Sequence, residues 1–457
     1  MIKELSIFGF RGFGLPQTVA FALPDGRTPG SGLTIITGAN NSGKTTIVEA
    51  ISAFNYTGEQ TPSFSEGRRN VETAGKVTLK LKDEGGKLYT ITSIADGGSS
   101  TEKNEPFTLK YYILQSRRSI PFEFGNNYWD KDTYIASSQK LESHRSSSLD
   151  NFDVRIRQIE KQKDKFDKVL TTVLGSDFQW VVEQRDSGNY YIKYSQGDVT
   201  HSSEGIGDGI WSVFTICASL FDSEENSTVI IDEPELSVHP ALQKRLMDLF
   251  LEYSMTRQII ISTHSPYFVN WEAIIDGAQL IHVAKNGTHS ECYNISEDCR
   301  SRFKGIPQDT NNPHTLGIEA NEALFLGDSI ILVEGQEDVV IFNKISKELS
   351  IKLKGDFFGW GVGGAPKMRA FLTLFKDLGY KHIVGILDGD KAEEAQELSD
   401  EFSAQSYKII TLKENDIRDK KERRIKEKSG ITTEDGKIKE EYIEYISELF
   451  DEINAAL

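Results

Sequence analysis

The octapeptide GANNSGKT, Gly38 to Thr45, lies between the apolar run LTIIT and the helical pattern KTTIVEAISAF, and it constrains the fold more than any other stretch. A Gly-rich loop joining a buried strand to a helix lets backbone N–H groups curl around phosphate oxygens, which commits the chain to an α/β architecture. The pattern singles out Gly38, Asn40, Asn41, Ser42, Gly43, Lys44, Thr45 and Thr46 as nucleotide-binding candidates. Lys44 is expected to reach the outer phosphates of ATP, and the Thr45 hydroxyl to ligate Mg2+.

Two later strand ends carry the chemistry such a loop needs. VIIDEPELSVHP places Asp232 and Glu233 directly after an apolar strand, where Asp232 would hold the magnesium and Glu233 would polarise the attacking water. ISTHSP ends the next apolar strand with His264, within reach of a terminal phosphate. SSEGIGDG opens a helix with Ser202, Ser203 and Gly205, and a helix N-terminus favours phosphate.

Around these motifs, IKELSIFGFRGF reads as an edge strand with a turn, and residues 75–115 as several strands. DVRIRQIEKQKDKFDKVLTTVLG reads as one helix ended by Gly175, and FQWVVEQ and YYIKYS as further strands. Alternation of strands and helices predicts a largely parallel sheet covered by helices. Beyond a polar segment, SIILVEG, DFFGWGV and HIVGILDGD are three more short strands between helical stretches, a second and smaller α/β unit. A chain of 457 residues is long enough for two domains. The expected division is an ATPase domain over 1–305 with a short helical insertion at about 125–180, a linker over 306–327 and a second domain over 328–457.

The order GANNSGKT, SSEGIG, DEPELSVHP, STHSP resembles the ABC-type ATPases of the SMC and RecF kind. In that family two heads sandwich ATP between one head's phosphate loop and the other's signature helix. The resemblance implies a homodimer or higher homo-oligomer, with Ser203 and Gly205 at the signature, although Glu204 between them departs from the transporter form. It also implies a magnesium-sensing glutamine, for which Gln115 in YYILQSRRS is the candidate, with Arg117 or Arg118 in a nearby role.

The second unit has its own acidic set. Glu334 and Asp338 form E-x-x-x-D after the strand Ile330 to Val333, and Asp388 and Asp390 form D-G-D after another. The D-G-D segment reads as extended, with both of its carboxylates on one side. Four acids at neighbouring strand ends repel one another until divalent cations intervene, and hard oxygen donors suit magnesium or manganese. Together these pairs resemble a Toprim domain. A Toprim domain after a RecF-like ATPase is similar to the OLD (overcoming lysogenisation defect) family of ATP-dependent endonucleases, over nearly the whole chain.

That resemblance implies metal-dependent DNA cleavage, with one ion activating water and another stabilising the leaving oxygen. Glu334 would be ligand and general base, Asp338, Asp388 and Asp390 ligands, and Lys367 in GVGGAPKMRA a neutraliser of phosphate or leaving group. A further acid is expected in TLKENDIRDKKERR, where Glu414, Asp416 and Asp419 all remain open and Arg418 occupies a place where an acid was expected. The resemblance also implies an antiphage effector, with a co-encoded partner such as a reverse transcriptase carrying its RNA–DNA product.

A formal charge of −17 argues against an indiscriminate nucleic-acid coat. The seven basic residues between Arg418 and Lys428, read as helical, offer a local DNA-backbone contact instead. No apolar run is long enough to span a bilayer and the N-terminus lacks the features of a secretory signal, so no membrane partner and a cytoplasmic location are expected. Cys217, Cys292 and Cys299 are not in zinc-binding spacing, which disfavours a primase, and a topoisomerase would need a tyrosine-bearing domain beyond Leu457. The rival expectation is a nucleotide-gated DNA clamp whose Toprim domain does not cut.

Overall fold

Strands Leu33–Thr37, Thr228–Asp232 and Gln258–Ser262 are buried at every residue, the mark of a sheet covered on both faces. The computed structural model describes residues 1–56, 60–73, 75–93, 101–106, 111–116, 129–138, 153–176, 178–196, 199–202, 206–420 and 428–457. They form two compact units, Met1–Asn294 and Ile295–Leu457.

The central sheet of the first unit runs in the order His289–Asn294, Gln279–Asn286, Leu33–Thr37, Gln258–Ser262, Thr228–Asp232, Tyr111–Leu114. All its pairings are parallel except that of the outermost strand, His289–Asn294. The phosphate-loop strand is therefore interior, next to the strand that leads to His264 and one removed from the strand that ends at Asp232. Helices Lys44–Ser52, Asp208–Asp222 and Pro240–Tyr253 accompany it.

A second sheet, which is antiparallel, runs Gln17–Ala20, Ile2–Phe8, Thr78–Asp83, Leu88–Ser93, Thr101–Lys103. Ile2–Phe8 is interior rather than an edge strand, because its alternate residues Leu5 and Ile7 enter the core while both backbone edges are paired. The buried Gln258 side chain ties the two sheets together. It accepts from Ile2 N–H at 2.8 Å and donates to Ile2 O at 2.6 Å and to Ala22 O at 2.8 Å, so its burial leaves no unmet amide.

The single helix expected before Gly175 is two, Asp153–Glu160 and Lys163–Leu174, the second closed by Gly175 in the left-handed region at φ 73°. The break lets Arg155 pair with Asp222 at 2.7 Å on the helix Asp208–Asp222. Strands Gln179–Gln184, Tyr190–Gln196 and Val199–Ser202 form an antiparallel meander.

The second unit is built on a four-stranded parallel sheet in the order Asp356–Phe357, Ser329–Leu332, His382–Leu387, Lys408–Thr411. Of the predicted strand DFFGWGV only Asp356–Phe357 pairs; the glycines after it turn the chain. Helices Gln336–Leu349 and Ile443–Ala456 cover one face through Phe342, Ile345, Phe450 and Ile453, packed against Ile331, Val384 and Ile386. Helix Glu297–Phe303 belongs to this unit, its Phe303 ring 5.1 Å from that of Phe371. Among the described residues no helix is long and apolar enough to cross a membrane.

Candidate functional sites

In the first unit the loop after Leu33–Thr37 is turned by Gly38 at φ 139°, Asn41 at 62° and Gly43 at 121°. A Cβ on Gly38 would stand 2.2 Å from the carbonyl oxygen of Val283 on the adjacent strand, so only glycine fits. Lys44 begins the helix, and its Nζ donates to Gly38 O and Ala39 O, each at 3.0 Å. Burial lowers its pKa to about 8, against the pull of Asp232, Glu233 and Glu235.

Thr45 Oγ1 donates to Asp232 Oδ2 at 3.1 Å, joining the two expected magnesium ligands across neighbouring elements. Asp232, almost wholly buried, also accepts from the Ser262 hydroxyl. Glu233 adopts a left-handed φ of 48° and its N–H donates to Ser262 O at 2.8 Å, which locks the turn out of the strand. Glu235 accepts from Thr263 Oγ1 at 2.8 Å and from His264 N–H at 2.6 Å, so it braces the strand end that carries His264. Burial, with Lys44 nearby, holds the His264 imidazole below its usual pKa and hence neutral at pH 7.

A cavity of about 280 Å³ is lined by Asn40, Asn41, Gly43, Lys44, Thr45, Thr46, Glu233, His264 and Arg11. The residues suit a magnesium polyphosphate: cations and a helix start on one side, a carboxylate–hydroxyl pair on the other, and a buried Ser42 hydroxyl without a partner among the described residues. Sequence reasoning passed over Arg11, which is held at φ 49° and pairs with Glu49 at 2.9 Å. Its GFRGF setting reads as a turn, and only the fold brings it to the loop.

Gln115 follows Leu114, which pairs with Ile231, so it is level with Asp232 on the next strand; it is exposed and outside the cavity lining. Ser203, Gly205, Arg117 and Arg118 lie outside the described residues. The helix expected to open at Ser202 begins at Asp208, and Ser202 instead closes a strand.

In the second unit, the ends of all four parallel strands converge. Glu334, just past Ser329–Leu332, is held through its carboxylate: Asp388 N–H donates to Oε1 at 2.9 Å and Ala365 N–H to Oε2 at 3.3 Å. Its carbonyl oxygen accepts from Gly363 and Gly364 N–H at 2.9 and 2.8 Å. Asp338 Oδ2 caps its own helix by accepting from Gly335 N–H at 2.8 Å.

Burial raises the Asp338 pKa to about 7, with Glu334 and Asp416 adding to the rise. Burial likewise raises Asp388 to about 8, with Glu334, Asp338 and Asp416 adding. Like charges held this close share protons or a cation.

Asp388 and Asp390 are not on an extended segment, because Gly389–Lys391 closes a 3₁₀ turn. Gly389 is required there: its N–H donates to Glu414 O at 2.9 Å, and a Cβ would lie 2.5 Å from that oxygen. Of the three open acids, Asp416 is the one that faces the cluster, only 2% exposed. Glu414 instead binds the Tyr442 hydroxyl, and Asp419 binds Gly430 N–H and Lys439, each at 2.8 Å.

The expected helix from Arg418 is absent over the described part: Asp416–Arg418 is a strand paired with Gly430–Thr432, and Lys420 bridges Lys428. That bridge sets two ammonium groups against the acids. Lys420 Nζ is 2.7 Å from Asp416, and Lys428 Nζ is 3.2 Å from Asp390 and 3.7 Å from both Asp388 and Asp416. Lys367 pairs with Asp309. Among the described residues no three acids, histidines or cysteines are grouped to hold an ion as they stand, and lysines pair with several of the acids. The donor set is nevertheless the all-oxygen one that suits Mg2+ or Mn2+. The cavity here is about 620 Å³, lined by Glu334, Asp338, Asp388, Asp416, Lys420 and Trp360 among others.

Residues 89–270 match the family described as AAA domain, putative AbiEii toxin, Type IV TA system, a span that holds Asp232, Glu233 and His264. Residues 325–390 match the overcoming lysogenization defect protein-like TOPRIM domain, a span that holds Glu334, Asp338, Asp388 and Asp390. The chain is 25% identical over 427 residues to an OLD nuclease of Thermus scotoductus, covering 77% of this chain and 75% of that one. It is 28% identical over 214 residues to the endonuclease GajA of Bacillus cereus, covering 46% of this chain and only 33% of that one. It is 21% identical over 307 residues to the Septu protein PtuA of Bacillus thuringiensis, covering 60% and 74%.

Proposed function

We propose, from the premise that this chain is a homologue of the OLD nucleases in which an ATPase head is joined to a Toprim domain, that it hydrolyses DNA phosphodiester bonds at the acidic centre of its second unit. ATP state at the first unit governs access of DNA to that centre. The observation that carries the reading is Glu334, whose carboxylate is pinned by two backbone N–H groups, one at the end of strand His382–Leu387 and one at the start of helix Ala365–Asp377, with the raised Asp388 and Asp338 beside it.

Glu334, Asp388, Asp390, Asp338 and Asp416 would hold Mg2+ or Mn2+, which supplies charge neutralisation and an activated water. Glu334 would act as general base towards the attacking water, whose oxygen bonds to phosphorus as the bond to the leaving sugar oxygen breaks and that oxygen takes a proton from solvent. Lys420, which lines the cavity, and Lys428, which pairs with Asp390, bring positive charge to the acids, where it would offset the phosphate. In the first unit Lys44 balances the outer phosphates, Thr45 and Asp232 take the magnesium, and Glu233 orients water beside a neutral His264.

The ATPase resemblance supports a homodimer or higher homo-oligomer. The match to an overcoming lysogenization defect protein-like TOPRIM domain supports an antiphage effector; a cytoplasmic location and a co-encoded trigger, such as a reverse transcriptase with its RNA–DNA product, are proposed with it. The lysines among the acids favour a second reading, a DNA clamp that binds without cutting.

Cleavage of supercoiled and linear DNA with Mg2+ or Mn2+, with and without ATP, tests both. Glu334→Ala should abolish cutting, while Lys44→Ala should lower ATP affinity roughly 10- to 100-fold, as loss of charge-assisted hydrogen bonds does, and change the nucleotide dependence of cutting. ATP-dependent DNA binding with no cleavage by wild type under any of these conditions would leave the clamp.

A further inference from the structure

Trp360 is 39% exposed and lines the same cavity as Glu334 and Asp388. A single exposed aromatic is commonplace. What sets this one apart is the backbone that presents it. Phe358 and Val362, two residues to either side, are wholly buried, and the Phe358 ring packs 4.9 Å from Phe371 and 5.5 Å from Phe375. Trp360 is thus the outward residue of a segment anchored at both ends.

The anchors lead directly to the acidic centre. Val362 N–H donates to Val333 O at 2.9 Å, and the next two N–H groups donate to the carbonyl of Glu334. Gly359 and Gly361 flank the indole at φ 50° and 87°, and a Cβ on Gly361 would stand 2.8 Å from the Gly335 backbone. At Gly361 the loop packs on the residue next to Glu334 with no room for a side chain, so the backbone that carries the indole keeps a set position relative to Glu334. Asn311 and His314, both exposed, line the same cavity with hydrogen-bonding groups.

An aromatic face held beside a phosphate-hydrolysing centre, with amide and imidazole groups at its rim, has the chemistry of a nucleobase site. Bases inside a duplex already have both faces covered, so only an unstacked base can use it. We infer that Trp360 is a base-stacking platform that makes the acidic centre select DNA carrying an unstacked nucleotide, single-stranded or extrahelical, beside the scissile phosphate. The inference rests on the nuclease reading above and names its substrate class.

The test is binding by the full chain of an oligothymidylate and of an abasic deoxyribose-phosphate strand of equal length. It is followed by tryptophan fluorescence, and the difference between wild type and Trp360→Phe isolates this residue among the five tryptophans. Oligothymidylate should quench the Trp360 signal and the abasic strand should not. Trp360→Ala should weaken binding of oligothymidylate by about 5- to 150-fold, the range of one lost stack, and leave the abasic strand unchanged, with Trp360→Phe retaining most of the preference. In parallel, cleavage of a duplex bearing a short bulge should exceed that of the matched duplex for wild type but not for Trp360→Ala.

Equal binding of both strands by wild type and Trp360→Ala would overturn the inference while leaving cleavage, and hence the nuclease reading, standing. Base-dependent binding without any cleavage would sink the nuclease reading and keep the platform. No binding of either strand would overturn the inference, with cleavage of supercoiled and linear DNA still deciding the nuclease reading.

Discussion

Raising the pH from 5 to 7 without divalent ions should destabilise the second unit through Asp388, and Mg2+ or Mn2+ should remove that loss. Asp388 has its pKa raised from 3.8 to about 8, first by burial and then by Glu334, Asp338 and Asp416. The folded state thus keeps a proton that the unfolded chain has already released. The associated stability is complete below about pH 4 and is lost as the pH climbs towards 8.

Each proton held only by the folded state costs about 1.4 kcal/mol per pH unit. Asp338 faces the same neighbours, so the two are counted as sharing one proton. Two pH units then remove about 2.7 kcal/mol. For a domain of roughly 150–250 residues that lowers the melting temperature by about 5–10 °C.

A bound divalent ion takes the proton's place, so the slope should flatten with millimolar Mn2+ or Mg2+. Asp388→Asn, neutral at every pH, should reduce the slope without metal, leaving the share carried by Asp338. Thermal unfolding of wild type and Asp388→Asn at pH 5, 6 and 7, with chelator and with metal, gives the comparison. Identical slopes for the two proteins in chelator, or a wild-type slope indifferent to metal, would refute the reasoning.

Two further substitutions separate residues that lie close in sequence. Asp416→Asn should cut cleavage by roughly 10- to 100-fold, the range for loss of a group that supports a metal site, whereas Asp419→Asn, whose carboxylate is spent on Gly430 and Lys439, should leave it within about threefold; a nicking assay on supercoiled DNA distinguishes them. Gly389→Ala would drive a methyl group to within 2.5 Å of Glu414 O and 2.7 Å of Leu412 O, both backbone atoms. A loss of about 1–3 kcal/mol in denaturant unfolding is expected, and a neutral result would mean that the strand end yields more easily than its hydrogen bonds imply.

The phosphate loop, the acid pair Asp232–Glu233 and the strand-end acids Glu334 and Asp388 are legible in sequence because each is local. An apolar run reports a buried strand, and a Gly or an acid after it reports where the strand stops. Where the reading failed, the missing term was always a partner remote in sequence. Ile2–Phe8 alternates like an edge strand, yet pairing on both sides makes it interior. The run from Arg418 has helical composition, yet over its described part Asp416–Arg418 finds Gly430–Thr432 and becomes a strand.

The sequence by itself determined the two chemistries, because phosphate loops and acidic strand ends depend on residue type and spacing within a few positions. Only the tertiary structure decided which of Glu414, Asp416 and Asp419 faces the cluster, that Arg11 reaches the nucleotide cavity, that Lys420 and Lys428 lie among the acids, and that Trp360 shares their pocket. Those are matters of distance between segments remote from one another in sequence. Distance enters the energy through burial, electrostatics and backbone hydrogen bonds that no local pattern records.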